Sequence, residues 1–403
     1  MDDPPFKIHR VRLWNTETRS LQPLETRTSP LGVYVCGITP YDTTHLGHAF
    51  TYVAVDVLIR TLRVAGRDVR YVQNVTDVDD DIIKRSRELG TTWDQLATRE
   101  TALYQADMAA LNVLAPDIFP RASQTIGKIV ELVSRLVAQG HAYVRDGNVY
   151  FRVSSVTDYG RLSRLPREEM VRLSAQRGAD PNDPRKQDPL DFLLWQQSAP
   201  DEPHWSSPWG SGRPGWHIEC SAMALEHLGD QVDIHSGGAD LIYPHHESEI
   251  AQSESVTGVR PFARTWMHVG MLRYQGEKMS KSLRNLVLVR DLLPRFDADS
   301  IRVTLLRHHY RESWEYSEAE LTDAARWVAD LQKAASAAVK VGTGPGRIRA
   351  ALEEDLDTPR ALQLLEESVR TGDAGWPAAA EMLGLQLGVA PGSARIGDAV
   401  NPR

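Results

Sequence analysis

The stretch CGITPYDTTHLGHAF, residues 36–50, joins a predicted buried strand to a predicted helix. The apolar run LGVYVC (31–36) before it is typical of a strand that is covered on both faces. From Thr44 onward apolar residues recur at helical spacing as far as Ala65, and Gly66 is a typical helix end. The stretch therefore predicts a strand that turns directly into a helix.

The first turn of this helix contains two histidines three residues apart. A helix that directly follows a strand presents free backbone N–H groups and the positive end of its dipole, and both favour anions. His45 and His48 would flank this end, and Gly47 has no side chain to keep a phosphate or an adenine away. The residues alone leave two interpretations open, a nucleotide site or two solvated histidines on one helical face.

The composition is that of an ordinary globular protein. The chain has 403 residues, of which 41% are apolar and 25% charged, enough for a large core and two or three domains. No apolar run is long enough to cross a bilayer, and the start MDDPPFKIHR lacks the apolar core of a secretory signal, so we expect a cytoplasmic protein. A net charge of −8 argues against a protein that coats nucleic acid, and two cysteines are too few for a disulfide framework.

Predicted strands and helices alternate over the first part of the chain. VRYVQNV (69–75) is the next predicted strand, and another helix begins near the three aspartates at 79–81, which a solvated helix start explains. Thr92 and Gln95 form a predicted capping box for a third helix. This order predicts an α/β fold with a parallel sheet and crossover helices.

The alternation then stops. A long amphipathic helix (123–139) and short strands at AYV and NVYFRV are followed by a predicted irregular region from 155 to 200. The loop 203–216 is rich in Pro, Gly and Trp, and we expect no regular structure in it.

The α/β order returns with helix WHIECSAMALEHL, strand VDIHSGG, helix HHESEIAQSESV and strand WMHVG. From about residue 290 the pattern is helical, with GTGPG (342–346) as a linker. We therefore predict one Rossmann-type nucleotide-binding fold that is split by an insertion and followed by an α-helical carboxyl-terminal domain. The predicted divisions are 1–118 and 209–290 for the two halves of the Rossmann domain, 119–208 for the insertion and 291–403 for the helical domain.

A second segment with functional residues is GEKMSKS, residues 276–282. Lys278 and Lys281 suit a mobile loop that binds a polyphosphate, because ammonium and backbone N–H groups stabilise the charge of a leaving pyrophosphate. Alone, this segment is better explained by an exposed turn. Together with HLGH (45–48) in the other half of the predicted fold, it resembles the paired motifs of the class I aminoacyl-tRNA synthetases.

Four residues far apart in the chain have the side chains of metal ligands. They are Cys36, Cys220, His245 and Glu249. His245 and Glu249 are one helical turn apart, so both can face one point. From the residues alone, a buried helix cysteine and a solvated helix start are an equally good explanation. The segments CGITPYD, WHIECSA and PHHESEIAQ resemble the zinc-binding segments of the cysteinyl-tRNA synthetases, and this resemblance implies one Zn²⁺ per chain.

The resemblance, which extends to about residue 310, also implies a mechanism. The carboxylate of L-cysteine would attack the α-phosphorus of ATP, with Mg²⁺ accompanying the ATP, to give cysteinyl adenylate and pyrophosphate. The zinc ion would bind the sulfur of the substrate, which serine cannot reproduce. The implied catalytic residues are His45, His48, Lys278 and Lys281. The implied ATP-binding residues are Thr44, His45, Gly47, His48, Gly238, Asp240, Lys278, Met279, Ser280 and Lys281. The implied cysteine pocket consists of Gly37, Thr39, Thr76, Trp216 and His235, and a packing role for Trp216 stays open.

The acceptor of the cysteinyl group has to be inferred from the rest of the chain. Only 121 residues follow Ser282, which is short for a cysteinyl-tRNA synthetase. Residues 321–403 have nine Lys or Arg against eleven Asp or Glu, a poor surface for a tRNA stem. The tail segments EEDLDTPRAL and LGLQLGVA, with Pro40, Leu46 and Phe50 near the first motif, resemble the mycothiol cysteine ligases. This shortened branch joins cysteine to the amine of glucosaminyl-inositol.

Other residues favour the synthetases themselves, namely Glu249, the segment EIAQSE and the amino-terminal LWNTETRSLQPL. We expect a monomeric, ATP-dependent ligase that uses L-cysteine and glucosaminyl-inositol, with tRNA disfavoured and no membrane partner. The alternatives are a truncated synthetase that charges tRNA, a ligase with another amine acceptor and a zinc-stabilised binding protein without catalysis. A simple nucleotidyltransferase would leave KMSKS and the two cysteines unexplained.

Overall fold

The computed structural model describes residues 11–25, 29–41, 44–279, 285–335, 346–373 and 375–387. None of the helices in these ranges has both the length and the apolar character that crossing a bilayer requires. Ser280 and Lys281 of the predicted site lie outside the described residues, as does most of the predicted linker 342–346. Gly346, the last residue of that linker, begins a helix.

Strands and helices alternate through most of the described chain. The strands are β1 (Arg12–Asn15), β2 (Ser20–Pro23), β3 (Leu31–Ile38), β4 (Val69–Val75), β5 (Ala142–Arg145), β6 (Asn148–Phe151), β7 (Phe192–Gln197), β8 (Gly212–Pro214), β9 (Val232–Gly238), β10 (Ala263–Val269), β11 (Leu272–Tyr274), β12 (Glu277–Lys278) and β13 (Trp314–Glu315). The α-helices are α1 (Leu46–Val64), α2 (Asp80–Leu89), α3 (Trp93–Ala110), α4 (Ile126–Ala138), α5 (Arg167–Gln176), α6 (Trp216–Leu228), α7 (Glu247–Thr257), α8 (Val289–Leu292), α9 (Ala298–Leu306), α10 (Glu318–Ala335), α11 (Gly346–Glu353), α12 (Thr358–Thr371) and α13 (Trp376–Met382).

The central sheet consists of parallel strands in the order β10–β9–β3–β4. From β3 the chain passes through α1 to β4 on one side, while β9 and β10 lie on the other side of β3. The strand order thus reverses between β3 and β9, and such a reversal opens a crevice beyond the carboxyl ends of the two strands. Val33 and Val35 on one face of β3 and Tyr34 on the other are fully buried, so the sheet is covered on both faces.

Several elements have the bounds that the sequence pattern predicted. β4, β9 and α6 coincide with the predicted segments, and α1 ends just before Gly66, whose φ is +77°. The flanking residues explain this agreement, because α6 lies between two glycines, an aspartate precedes β4 and two glycines end β9. The predicted parallel sheet and helical carboxyl-terminal region are confirmed.

The prediction of an irregular region from 155 to 200 is wrong in part, because α5 and β7 lie within it. β7 belongs to an antiparallel sheet of order β5–β6–β7–β8. The loop 203–216, in which no regular structure was expected, contains β8. A Cβ on Gly212 would lie 2.3 Å from the carbonyl oxygen of Gln196, so glycine is what allows β8 to approach β7. The domain boundaries at residues 118, 208 and 290 stay predictions.

The capping box predicted for α3 is also wrong. The side chain of Thr92 makes no capping hydrogen bond at the start of α3. Gln95 accepts a hydrogen bond of 3.0 Å from the hydroxyl of Thr91 instead. The helix forms nevertheless, because Leu96 and Tyr104 are buried on its inner face.

The helical carboxyl-terminal region packs against α1 through a buried charge. Arg302 in α9 forms a fully buried ion pair with Asp56 in α1. Its guanidinium also donates hydrogen bonds to the carbonyl oxygens of Leu111 at 2.9 Å and Leu383 at 3.1 Å. A Cβ on Gly384 would lie 2.1 Å from Nη2 of Arg302, so only glycine fits where the tail meets the arginine. The tail is thereby fixed to the helix that begins with the HLGH motif.

Candidate functional site

A cluster of buried side chains with metal-binding atoms lies at the crevice beyond β3 and β9. The Sγ atom of Cys36, near the end of β3, lies 3.8 Å from the Sγ atom of Cys220 in α6. Oε1 of Glu249 in α7 lies 3.4 Å from the Sγ atom of Cys36 and 3.2 Å from Nε2 of His245. These four predicted ligands, called the first ligand set, are at most 4% exposed, and the structure brings all of them together.

The distances in the first ligand set suit a tetrahedral ion. Zinc bonds of about 2.0 to 2.3 Å to nitrogen, oxygen and sulfur place the ligand atoms about 3.3 to 3.8 Å apart. The three separations given above, from 3.2 to 3.8 Å, agree with this geometry, and all four ligand atoms lie within 4.8 Å of one another. Two thiols, an imidazole and a carboxylate are also donors that zinc prefers. The residues therefore fit a zinc-type ion.

Burial makes these groups costly to ionise without a cation. It raises the pKa of the Cys36 thiol and of the Glu249 carboxyl above their ordinary values. It lowers the pKa of the His245 imidazole. A divalent cation would favour the thiolate and carboxylate forms and release their protons, so the cluster is suited to bind one.

A kinked helical segment over Ile242–His246 places two histidines directly before α7. Within it Tyr243 has an extended backbone, with φ −138° and ψ 135°. His245 and His246 follow this kink and lie at the start of α7, about one helical turn before Glu249. The kink at Tyr243 is the local structure that brings this part of the chain close to Cys36.

The predicted nucleotide residues of the first motif surround the start of α1. Nδ1 of His45 accepts a hydrogen bond of 3.1 Å from the backbone N–H of Gly47, and the rings of His45 and His48 stack with their centroids 3.9 Å apart. A Cβ on Gly47 would lie 2.9 Å from the His45 ring, so glycine is needed here. Among the described residues, the Thr44 hydroxyl and Nδ1 of His48 are buried without a hydrogen-bond partner, so both are available to a ligand.

The KMSKS motif is attached beside the same helix. Backbone hydrogen bonds of 2.9 and 3.1 Å join residues 44–46 to residues 287–289, which follow the motif. Of the motif residues that the structure describes, Lys278 lies in β12, and the side chain of Met279 is buried in the core. The two predicted nucleotide motifs, distant in sequence, are therefore neighbours.

Asp240 links Lys278 to the second half of the central sheet. Its Oδ2 atom lies 2.6 Å from Nζ of Lys278 and 3.2 Å from Nη2 of Arg177. Burial favours the protonated acid, but the charges and hydrogen bonds of Lys278 and Arg177 together outweigh it and hold the pKa of Asp240 below its ordinary value. A Cβ on Gly238 would lie 2.7 Å from Oδ1 of Asp240, which explains the glycine. Gly238 and Asp240 thus lie together at the end of β9, and their role in ATP binding stays a prediction.

The predicted cysteine-pocket residues on the first half of the sheet lie at the ends of β3 and β4. The backbone N–H of Gly37 donates to Oδ1 of Asn74 at 2.9 Å, and a Cβ on Gly37 would overlap the Asn74 carbonyl oxygen at 1.5 Å. Thr76 is buried, with its hydroxyl 3.2 Å from Nδ2 of Asn74. Thr39, just beyond β3, is half-buried.

The other two predicted pocket residues contact the first ligand set. The ring of Trp216 stacks on the ring of His245, with centroids 4.4 Å apart. Nε2 of His235 lies 3.0 Å from Oε2 of Glu249. Trp216 can thus both pack against His245 and form a wall of the crevice. His235, by contrast, belongs to the buried cluster itself.

Comparison with known proteins agrees with this geometry. A sequence model of the tRNA synthetases class I (C) catalytic domain matches residues 22–326. An L-cysteine:1D-myo-inositol 2-amino-2-deoxy-alpha-D-glucopyranoside ligase from Acidothermus cellulolyticus is 46% identical over 92% of this chain and 92% of that protein. The chain belongs to this family of ligases. The relative of the same name from Rhodococcus jostii is 48% identical over 88% of this chain and 87% of that protein. The family resemblance drawn from the motifs is confirmed.

A solved structure extends the comparison to the fold of this ligase family. Mycobacterium tuberculosis methionyl-tRNA synthetase, in complex with methionyl-adenylate, matches with a TM-score of 0.63 at 19% identity. The match covers 88% of this chain and 90% of that chain. The class I synthetase fold predicted from the sequence is thereby confirmed.

Two histidines that contact the first ligand set were not predicted for this member of the ligase family. Nε2 of His246 lies 3.3 Å from the Sγ atom of Cys36, and Nδ1 of His217 lies 3.0 Å from Nδ1 of His245. The three-residue spacing of His246 and Glu249 puts both on one helical face, so the sequence contained a signal for His246. The contact of His217 depends on the packing of α6 against α7, for which the sequence has no signal.

Acid is expected to destabilise this ligase-family protein through its HLGH motif. Burial lowers the pKa of His48 to about 4. The unfolded chain, with a histidine pKa of about 6.5, then binds more protons than the folded chain between about pH 6.5 and 4, so stability falls as the pH falls through this window. We expect His48 to contribute about 1.4 kcal/mol of this loss per pH unit. Urea unfolding of the ATP-free protein between pH 7.5 and 5 measures it.

The matched variants are His48→Asn and, at an exposed histidine, His204→Asn. His48→Asn is expected to flatten the dependence of the unfolding free energy on pH, whereas His204→Asn leaves it as in the wild type. Equal slopes for all three proteins would contradict the prediction.

Proposed function

We propose that this protein activates L-cysteine with ATP and transfers the cysteinyl group to the amine of glucosaminyl-inositol, a step of mycothiol biosynthesis. The observation that supports it most is the donor set of Cys36, Cys220, His245 and Glu249 beside the HLGH helix, in a chain 46% identical to a ligase of that name. The first product would be cysteinyl adenylate with release of pyrophosphate, and the second would be an amide with release of AMP.

The first ligand set would hold one Zn²⁺. When bound, the ion would supply a soft Lewis acid for the sulfur of the substrate, a partner that the hydroxyl of serine matches poorly. Pocket shape alone separates such close analogues by only about 10- to 200-fold. Selection at the sulfur atom therefore accounts for discrimination against serine without an editing site.

The two HLGH histidines would bind phosphate oxygens as neutral donors. Burial lowers the pKa of His45 to about 2 and that of His48 to about 4. Because Nδ1 of His45 accepts from Gly47, the proton of its neutral ring is on Nε2, from which it can donate to a phosphate. The backbone N–H groups at the start of α1 add donors for the same anion.

The charge that develops on the leaving pyrophosphate would be stabilised by lysine. The ammonium of Lys278 is 2.6 Å from Oδ2 of Asp240, and an ATP phosphate would compete with that carboxylate for it. Lys281 would act from the same motif, and Mg²⁺ would accompany the ATP. No nucleophile of the protein is required, because the carboxylate of cysteine attacks the α-phosphorus once both substrates are positioned.

The substrate amino acid would lie between the two groups of pocket residues. Trp216 would cover it from the side of His245, on which the indole stacks. Gly37, Thr39 and Thr76 would contact its amino and carboxylate groups from the ends of β3 and β4. This arrangement directs the sulfur toward the metal ligands and the carboxylate toward the HLGH helix.

The acidic, docked tail supports a small acceptor. Residues 321–403 have nine basic against eleven acidic residues, and phosphate contacts dominate the affinity of proteins for RNA stems. A small sugar amine needs no such surface. A monomer in the reducing cytoplasm, where both thiols stay free to bind the ion, is part of this proposal.

A single-turnover transfer assay tests the function. The protein is incubated with radiolabelled cysteine, ATP and Mg²⁺, and then with glucosaminyl-inositol in one tube and tRNA transcripts in another. We expect label on the sugar amine and none on tRNA, and no transfer when labelled serine replaces cysteine. Label on tRNA alone would overturn the proposal in favour of a short synthetase. Label on neither, with cysteine-dependent ATP–pyrophosphate exchange intact, would indicate a different amine.

A further inference from the structure

The buried cluster holds more ligand atoms than one tetrahedral ion needs. Nε2 of His246 lies 3.3 Å from the Sγ atom of Cys36 and 3.9 Å from Oε1 of Glu249. Nε2 of His235 lies 3.0 Å from Oε2 of Glu249. These four residues, called the second ligand set, are at most 4% exposed, and their ligand atoms lie within 4.8 Å of one another. The separations of 3.0 to 3.9 Å resemble those of the first ligand set, so the geometry also suits a zinc-type ion.

A chain of hydrogen bonds orients His246 toward Cys36. Nδ1 of His246 lies 2.7 Å from Nε2 of His268, and Nδ1 of His268 lies 2.7 Å from Oγ1 of Thr16. When His268 donates to Thr16, its Nε2 accepts from Nδ1 of His246. Nε2 of His246 then keeps its lone pair toward Cys36. Such a partner on the other ring nitrogen is the usual arrangement for a histidine that binds a metal, and His217 provides a comparable partner for His245.

The net charge of the occupied site distinguishes the two sets. Two thiolates and a carboxylate around a divalent cation leave one negative charge in the first ligand set. One thiolate and one carboxylate leave none in the second ligand set. Sulfur donors favour the first set, whereas a fully buried environment favours the neutral complex of the second. Because these effects oppose each other, neither set is excluded by its chemistry.

We propose that the second ligand set is a metal site of its own, which holds a zinc-type divalent cation without Cys220 or His245. Cys36 and Glu249 belong to both sets, so the two positions exclude each other, and a bound cation can shift between them without leaving the protein. A shift toward His246 frees a coordination position on the side of Cys220 while four protein donors remain. This inference goes beyond the proposed function and depends on neither ATP nor the acceptor.

The double variant Cys220→Ala/His245→Ala tests the second site directly. It leaves two residues of the first ligand set and all four of the second. Cys36 is then the only cysteine in the chain, so a cobalt–thiolate absorption band can come only from it. We expect one equivalent of Co²⁺ or Zn²⁺ after gel filtration, and this band in the cobalt form. Adding His246→Gln is expected to weaken cobalt binding more than about 100-fold, because loss of an outer hydrogen-bond partner alone costs a metal site about 10- to 100-fold.

Two results would overturn the second site. One is a folded double variant, with wild-type circular dichroism, that retains no metal and lacks the cobalt–thiolate band. The other is unchanged cobalt affinity when His246→Gln is added. If the double variant does not fold, Cys220→Ala alone serves as background. A more than about 100-fold weaker cobalt affinity on adding His246→Gln then supports the site, and an unchanged affinity overturns it. These measurements use no substrate, so their failure is distinguishable from failure of the transfer assay.

Discussion

Replacing Cys36 with alanine is expected to remove metal binding and cysteine-dependent ATP–pyrophosphate exchange together. Cys36 belongs to both ligand sets, so its loss leaves neither with four donors. The loss of affinity should exceed the about 10- to 100-fold that loss of an outer hydrogen-bond partner costs a metal site. Metal analysis after gel filtration and exchange of labelled pyrophosphate into ATP measure the two effects on the same preparation.

The matched control is Val144→Ala, which removes a side chain of similar size at a position that is 45% exposed and distant from the cluster. We expect this variant to keep its metal and its exchange activity. A Cys36→Ala protein that exchanges pyrophosphate at the wild-type rate while free of metal would show that the ion is not used to recognise cysteine.

Replacing Asp56 with alanine is expected to lower the free energy of unfolding by about 3 to 5 kcal/mol. The change leaves the guanidinium of Arg302, which is fully buried, without its carboxylate. It also removes the acceptor for the backbone N–H of Leu114, which donates to Oδ1 of Asp56 at 2.8 Å. The carbonyl groups that remain around Arg302 carry no full charge, so they offset the loss only in part. Urea unfolding followed by tryptophan fluorescence measures the effect.

An exposed ion pair provides the control for this prediction. Arg87 and Asp201 form a pair in which the side chains are 50% and 71% exposed, and such pairs contribute about 0 to 1 kcal/mol. We therefore expect Asp201→Ala to leave the unfolding midpoint close to that of the wild type. Equal destabilisation by Asp56→Ala and Asp201→Ala would contradict the view that burial makes the Asp56 pair important.

The bounds of a strand or helix could be predicted from the sequence where a local pattern of residues determines them. β4, β9 and α6 could be predicted to the residue, because each has a clear apolar period between residues that end regular structure. α5 and β7 were missed for the opposite reason. α5 buries few apolar residues, and β7 is stabilised by pairing with β6 and β8, which are distant in sequence.

The site was predictable to the extent that motifs define it. The first ligand set followed from three segments that resemble zinc-binding segments of known enzymes, and the structure brings its four residues together. The second ligand set was not predicted from the sequence. The spacing of His245 and Glu249 already accounted for a metal-binding face on this helix, so His246 was not considered as a further ligand. His235 approaches Glu249 only because β9 lies beside β3, and His268 approaches His246 only because β10 lies beside β9. Such contacts depend on sheet order, which the sequence pattern does not specify.

Both cysteines of the chain are free thiols in the metal-binding cluster, and both are buried. Any thiol that a reagent modifies in this protein is therefore the side chain of one of the two cysteines proposed to bind the ion. Counting reactive thiols, in the native state and after denaturation, would report occupancy without a spectroscopic metal or a purified substrate. The same restriction has a physiological side, because an oxidant that attacks cysteine in this protein can damage only the group that we propose selects the substrate.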